Sequence, residues 1–218
     1  MQTIDPQTLL AQLNWRYAVK KFDSARKIAP ATWATIEEAM RLAPSSYGLQ
    51  PWKFVTVADA GLRAKLREVS WNQPQITDAS HMVVFAQKRE VTKADVEAYV
   101  ARIVEVRGVP AQALAGYRDM MVGSVSNPAT LPGASMHAYT RSQTYIALGF
   151  ALYTAAQLGV DACPMEGFDA SKYDELLGLT KIGYHAAVVA TFGYRSSEDA
   201  MASFAKVRAK AEDVFLRL

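Results

Sequence analysis

The chain has one cysteine and three histidines in 218 residues, and no apolar run approaches the length of a membrane span. Cys163 alone cannot close an internal disulfide, and with no paired Cys or His it offers no thiol relay, so it reads as a small buried residue. His81, His137 and His185 stand far apart in sequence. There is no His-Glu-x-x-His helix, no Cys-x-x-Cys and no carboxylate cluster, so no metal is expected. Gly-x-Gly-x-x-Gly and Gly-x-x-x-x-Gly-Lys-Ser/Thr are also missing, which removes the Rossmann and P-loop routes to a phosphate and leaves side chains to hold one. Without a Gly-x-Ser-x-Gly elbow or a nearby base, Ser45 and Ser46 have no claim to acyl transfer. No basic start leads into an apolar stretch, and no run of about 18 apolar residues occurs, so the expectation is a chain with neither signal peptide nor spanning helix, in the cytoplasm by default. The 24 basic residues are scattered among 21 acidic ones with a net charge of +3. That excludes a nucleic-acid stripe but suits an anionic small molecule.

What is present is half hydrophobic and long enough for a substantial core. Asp5-Pro6 predicts an N-cap and a proline at the first helical position, opening a helix that ends at Asn14 or Trp15. A second helix runs from Pro30 to before Pro44 and places Trp33, Ile36, Ala39 and Met40 on helical spacing. Strands are predicted at Lys53 to Ala58, His81 to Ala86 and Ala186 to Phe192, with a helix over 61 to 70 between the first two. Two further helical stretches, 92 to 107 and 111 to 122, and a polar loop form a helical excursion at about 92–133 from a single domain spanning 1–218. From Ser135 to Leu158 the pattern is helical and, from Tyr145 on, apolar on nearly every face. Such a helix is expected to be buried, most economically against its copy in a homodimer.

Three segments carry the polar chemistry. Pro44-Ser45-Ser46-Tyr47-Gly48-Leu49-Gln50-Pro51-Trp52 joins hydroxyls, amides and a glycine in a turn that two prolines stiffen. Arg16 to Asp23 brings Arg16, Lys20 and Lys21, and Pro164-Met165-Glu166-Gly167-Phe168-Asp169 brings a glycine-containing turn. Lys206 and Arg208 add cations near the end, where Arg offers a planar fork to phosphate and Lys a point charge.

Arg16-x-x-x-Lys20-x-Phe22-Asp23, Ala43-Pro44-Ser45-Ser46-x-x-x-Gln50-Pro51-Trp52, Asn72-Gln73, Asp78-Ala79-Ser80-His81, Gln143 and Pro164 to Asp169 together resemble the nitroreductase family. The similarity runs from Arg16 to Arg208 in the family's order and is nearest to the oxygen-insensitive NAD(P)H nitroreductase and dihydropteridine reductase subgroup. The resemblance implies an α+β fold with a central mixed or antiparallel sheet flanked by helices. It also implies an intertwined homodimer and FMN at two interface sites, reduced by NAD(P)H. Carried over by position, Arg16, Lys206 and Arg208 would bind the FMN phosphate and Lys20 the flavin N1 and O2 edge. Asn72 would meet the pyrimidine edge, the Pro164, Met165, Glu166 and Gly167 turn would lie against one face, and the Glu166 amide would donate to N5. Pro44, Ser45 and Ser46 would come from the other subunit.

Two departures stand out. Tyr17 and Ala18 occupy cofactor-binding positions where the family often has a basic residue and a serine. Gln75 stands where close relatives place a second lysine, which implies a lower reduction potential than theirs. Nitroaromatics and quinones are the implied acceptors, with a pteridine a further one. Tyr47 and Trp71 are candidates to flank the ring. Met120 and Met121 are candidates for a pliable acceptor pocket, with core packing the favoured alternative. A flavin store or sensor is the reading from another class. Reductive dehalogenation or oxidative flavin breakdown, which need a lid, are the rivals within the resemblance.

Overall fold

A computed structural model describes residues 3–218. Helix α1 (Pro6–Trp15) starts as its sequence dictates: the Asp5 carboxylate accepts from Thr8 N at 2.9 Å, with Pro6 behind it. Helix α2 spans Pro30–Arg41, strand β1 Trp52–Thr56, α3 Ala60–Glu68, the single turn α4 Gln75–Asp78, and β2 His81–Lys88. Helices α5 (Lys93–Arg107) and α6 (Ala115–Ser126) build the excursion. A capping box of Thr92 and Asp95 opens α5, and Gly108 closes it with a φ of 66°. The 22-residue α7 (Met136–Gln157), β3 (Asp161–Met165), α8 (Ala170–Leu177), β4 (Tyr184–Gly193) and the short α9 (Ala211–Val214) complete the chain.

The four strands form one sheet in the order β1-β2-β4-β3, with every pair antiparallel. Both faces are covered, so β2 is buried from Met82 to Gln87. Val83 and Phe85 point to a cluster with Trp33, Ile36 and Met40 of α2 and Leu148, Ala151 and Ala155 of α7. Met82, Val84 and Ala86 point the other way, to Leu66 of α3, Ile76 of α4 and Tyr173 of α8. Period-2 alternation on a strand buried on both sides is a matter of which helix layer each side chain meets. Residues 91 to 139 have their own apolar cluster around Val96, Val100, Met121 and Val125.

Strand β3 was not expected from sequence. Its five residues include Pro164, which a sheet tolerates on an edge. The outer edge is not bare. Ala18 bridges to Ala162 and Val19 N donates to its carbonyl, so the Arg16 to Asp23 segment runs beside β3.

Within one chain α7 is covered on part of its circumference only. Ala147, Ala151 and Ala155 are fully buried, but Ile146, Phe150 and Tyr153 on the outer side are each about two-fifths exposed. One sheet face plus α1 and α2 cover only part of a helix's circumference. Together with Tyr145 and Gly149, these three side chains line an open apolar hollow of ≈ 400 Å³. No helix among the described residues is long and apolar enough to cross a membrane.

Candidate active site

At the β3 edge the fold gathers cations that no carboxylate among the described residues neutralises. Arg16, Lys206 and Arg208 line one cavity of ≈ 580 Å³ with Trp15, Tyr17 and Phe204. Burial lowers the Arg16 pKa and the neighbouring Arg208 charge lowers it further; Lys206 is lowered by burial and then by both arginines. Lys206 is turned inward, donating to the carbonyls of Leu13, at 2.9 Å, and Arg16. Three cations that repel one another, in a cleft without a counter-carboxylate among the described residues, have the chemistry to receive a multiply charged anion.

Asp199, which sequence reading did not single out, holds this cleft in shape. Its carboxylate accepts from Lys20 N at 2.8 Å, Lys21 N at 3.1 Å, Tyr17 OH at 3.1 Å and Met201 N at 3.1 Å. The C-terminal segment that carries Lys206 and Arg208 is thereby tied to the segment that carries Arg16 and Lys20. Burial pushes the Asp199 pKa up, but the four donors outweigh it and the net shift is downward. An acidic residue 178 or more positions beyond Tyr17, Lys20 and Lys21 leaves no local pattern to read.

The structure uses Tyr17 differently from a phosphate ligand. Its hydroxyl is engaged by Asp199, and burial above all raises its pKa to about 12. Its ring lies 4.5 Å from Arg195, which also stacks on Trp15 at 4.2 Å and forks onto Asp161 at 2.9 and 2.5 Å. Ala18 serves its backbone bridge to β3.

Further along β3, Cys163 is buried with Lys20, Gln75 and Arg16 near enough to act on its thiol; burial dominates and raises its pKa. Gln75 is also buried, and its Oε1 has no hydrogen-bond partner among the described residues. An orphaned buried acceptor beside a free lysine is what a ligand with an N–H edge would satisfy. Asn72 lies in the turn just before α4, exposed and with a φ of 55°. Past Met165 the chain turns through Glu166 and Gly167. The Gly167 carbonyl accepts from Gln73 Nε2 at 2.8 Å, and the Trp71 ring leaves no room for a Cβ on Gly167. Trp71 is 77% exposed, so its ring covers this glycine from the solvent side. The Glu166 side chain turns away to Arg141, at 3.1 Å, and to Tyr145 OH.

Arg16, Lys20, Gln75 and the Pro164 to Gly167 turn are thus brought to one sheet edge. Pro44, Ser45 and Ser46 are not. They lead into β1, at the far side of a four-stranded sheet, about 14 Å across the strands. Tyr47 belongs with the excursion, its hydroxyl bonded to Ser124 Oγ at 3.1 Å. Met121 is fully buried in the excursion core, the packing alternative, whereas Met120 is half exposed.

Comparison with known proteins adds the family. The profile described as the nitroreductase family matches residues 13–194. A relative from Staphylococcus haemolyticus, named as a candidate NAD(P)H nitroreductase, is 36% identical over 95% of this chain and 96% of its own. YfkO of Bacillus subtilis, named in the same way, is 36% identical over 94% and 95% of the two chains. Among solved structures, a candidate nitroreductase of Exiguobacterium sibiricum in complex with FMN superposes with a TM-score of 0.80 at 19% identity, covering 100% of this chain and 99% of the other. A nitroreductase-like protein of Streptococcus mutans gives 0.82 at 17% identity, over 97% and 98%. Those two likenesses are of fold; the profile and the curated relatives carry the assignment, and on them the chain belongs to the nitroreductase family.

Proposed function

We propose that the protein is an FMN-dependent NAD(P)H oxidoreductase that passes hydride to nitroaromatics or quinones in a ping-pong cycle. The observation that carries this is the cation trio Arg16, Lys206 and Arg208, unpaired with any carboxylate among the described residues, at the same sheet edge as the orphaned Gln75 Oε1. FMN carries a phosphate dianion and an N–H edge, and the residues present fit both. When bound, it supplies a centre that accepts hydride from the nicotinamide and yields it to the acceptor.

In this reading Arg16 and Arg208 fork onto the phosphate and Lys206 adds charge. Lys20, its backbone fixed by Asp199, offers a cation to the N1 and O2 edge, favouring the reduced form without having to reorganise. Asn72 and Gln75 address the pyrimidine edge. The Glu166 backbone N–H lies in the turn that Gln73 and Trp71 brace, and would donate to N5. Pro44, Ser45 and Ser46 complete the site from a second copy. The exposed outer stripe of α7 supports a homodimer, as do the apolar Phe215, Leu216 and Leu218 of the tail, each more than three-fifths exposed. NAD(P)H supply places the activity in the cytoplasm. The 1–218 chain acts as one domain whose 92–133 excursion borders the acceptor.

Gln75 is a neutral amide where a lysine would add charge. Gln75→Lys is expected to raise the two-electron potential by about 30 mV, the equivalent of roughly 1.4 kcal/mol of preference for the reduced form. Potentiometric titration of both proteins checks it, and an unchanged or lower value in the variant refutes it. The cycle itself is tested by initial rates against NADPH or NADH and a quinone. Parallel double-reciprocal lines are expected; intersecting lines reject the ping-pong scheme.

A further inference from the structure

The loop that carries Ser45 and Ser46 is held by side chains from elsewhere. Tyr47, Gly48 and Gln50 have φ of 59°, 80° and 45°, and for Tyr47 and Gln50 that is the left-handed region L side chains avoid. Tyr117 OH donates to the Tyr47 carbonyl at 2.9 Å, and Tyr139 OH donates to the Ser46 carbonyl at 3.2 Å. Ser46 N donates to Gln143 Oε1 at 2.7 Å, and the Tyr47 hydroxyl bonds Ser124. The Tyr99 ring packs so closely over Gly48 that a Cβ there would collide with its hydroxyl. Tyr99, Tyr117 and Ser124 all belong to the excursion, whereas the loop they grip leads into β1. Only the Ser46 side chain is left over: its hydroxyl has no hydrogen-bond partner among the described residues.

We propose that the excursion is a clamp for this loop, with Tyr117 as a positioning residue that sets FMN affinity through the Tyr47 carbonyl without touching the cofactor. The proposal rests on the reading that Ser46 reaches the partner's flavin. Its physical basis is pre-organisation. A loop that relaxes from positive φ when unclamped is binding-competent only part of the time, and the apparent dissociation constant rises by the inverse of that fraction. Tyr117 is well suited to the role, because its ring packs against the excursion cluster while its hydroxyl donates to the loop. Tyr117→Phe therefore keeps the packing and removes the grip.

The test is FMN titration of the full-length apoprotein by flavin fluorescence quenching, with the visible circular dichroism of bound flavin and the apoprotein melting temperature as companions. Tyr117→Phe should weaken FMN about three- to tenfold, the range one hydrogen bond allows, and alter the flavin dichroism. Its melting temperature should stay within about 2 °C of the parent. Ser124→Ala should act in the same direction with smaller size. Ser46→Ala serves as the control for the loop's contact with flavin, since it removes a hydroxyl the chain itself does not use. If Ser46→Ala weakens FMN and Tyr117→Phe does not, the clamp is wrong and the composite site stands. If neither changes FMN binding, the loop does not contact flavin and both ideas fall. A melting temperature that drops with unchanged flavin dichroism gives Tyr117 a merely structural role and also overturns the proposal.

Discussion

Arg16→Ala is expected to weaken FMN binding about 100-fold while leaving the apoprotein as stable as the parent, or slightly more so. The two halves of this outcome have one cause. The Arg16 guanidinium is half-buried beside Arg208 and Lys206, and its lowered pKa reflects burial and then its like-charged neighbour. Without ligand the trio is a cost; removing one member relieves it. With ligand, each charge-assisted hydrogen bond contributes roughly 1.5–3 kcal/mol, so losing a two-pronged contact removes about 3 kcal/mol, near two decades of affinity. Arg16→Lys keeps the charge but not the fork and should recover only part of the loss. Fluorescence titration with FMN and with riboflavin separates the contributions, because riboflavin lacks the phosphate and should be indifferent to the change. Equal effects on both flavins would move the phosphate elsewhere.

Asp199→Ala should be the most damaging substitution outside the core. It removes one acceptor group that satisfies the amides of Lys20, Lys21 and Met201 and the hydroxyl of Tyr17. Leaving such donors unpaired in a buried setting costs on the order of 3 kcal/mol, or about 6–12 °C in melting temperature for a chain of this size. FMN affinity should fall as well, since Asp199 ties the Arg16 segment to the Lys206 and Arg208 segment. The pH dependence has a definite sign. Folding lowers the Asp199 pKa below its ordinary 3.8, so the unfolded chain binds the proton more readily. The stabilisation is complete above that ordinary value and drains away as pH falls through it toward the folded pKa. Acid unfolding monitored by circular dichroism should therefore be less steep below about pH 4 in Asp199→Ala than in the parent. Identical acid limbs would mean that Asp199 does not titrate with folding.

The parts of this molecule that follow local rules were legible before its structure. Pro6, Pro30 and Gly108 mark helix boundaries through the fixed φ of proline and the left-handed tolerance of glycine. The alternation of β1, the apolar run of β2 and the length of α7 were equally plain. What escaped is what depends on distant partners. Strand β3 is short, includes a proline and is completed by Ala18 from the other end of the chain, so its last two residues, Pro164 and Met165, read as the start of a turn. Asp199 has no motif around it, and its meaning comes from amides near the amino terminus. The apolar pattern of α7 marks nearly every side as apolar, but cannot say which side the same chain covers. For the site, the family motifs brought forward Arg16, Lys20, Gln75 and the 164–167 turn, which the fold does place along one edge. Ser45 and Ser46 lie across the sheet from them, a separation that no spacing along the chain encodes.

The central claim, that this chain turns over a bound flavin, is tested most directly by the absorbance of the purified protein under anaerobic conditions. The protein reconstituted with FMN should show flavin bands that bleach on addition of NADH or NADPH and return, without oxygen, when a quinone or nitroaromatic is added. Flavin bands that neither nicotinamide bleaches would leave a binding protein in place of a reductase, and a protein that takes up no FMN would contradict the site itself.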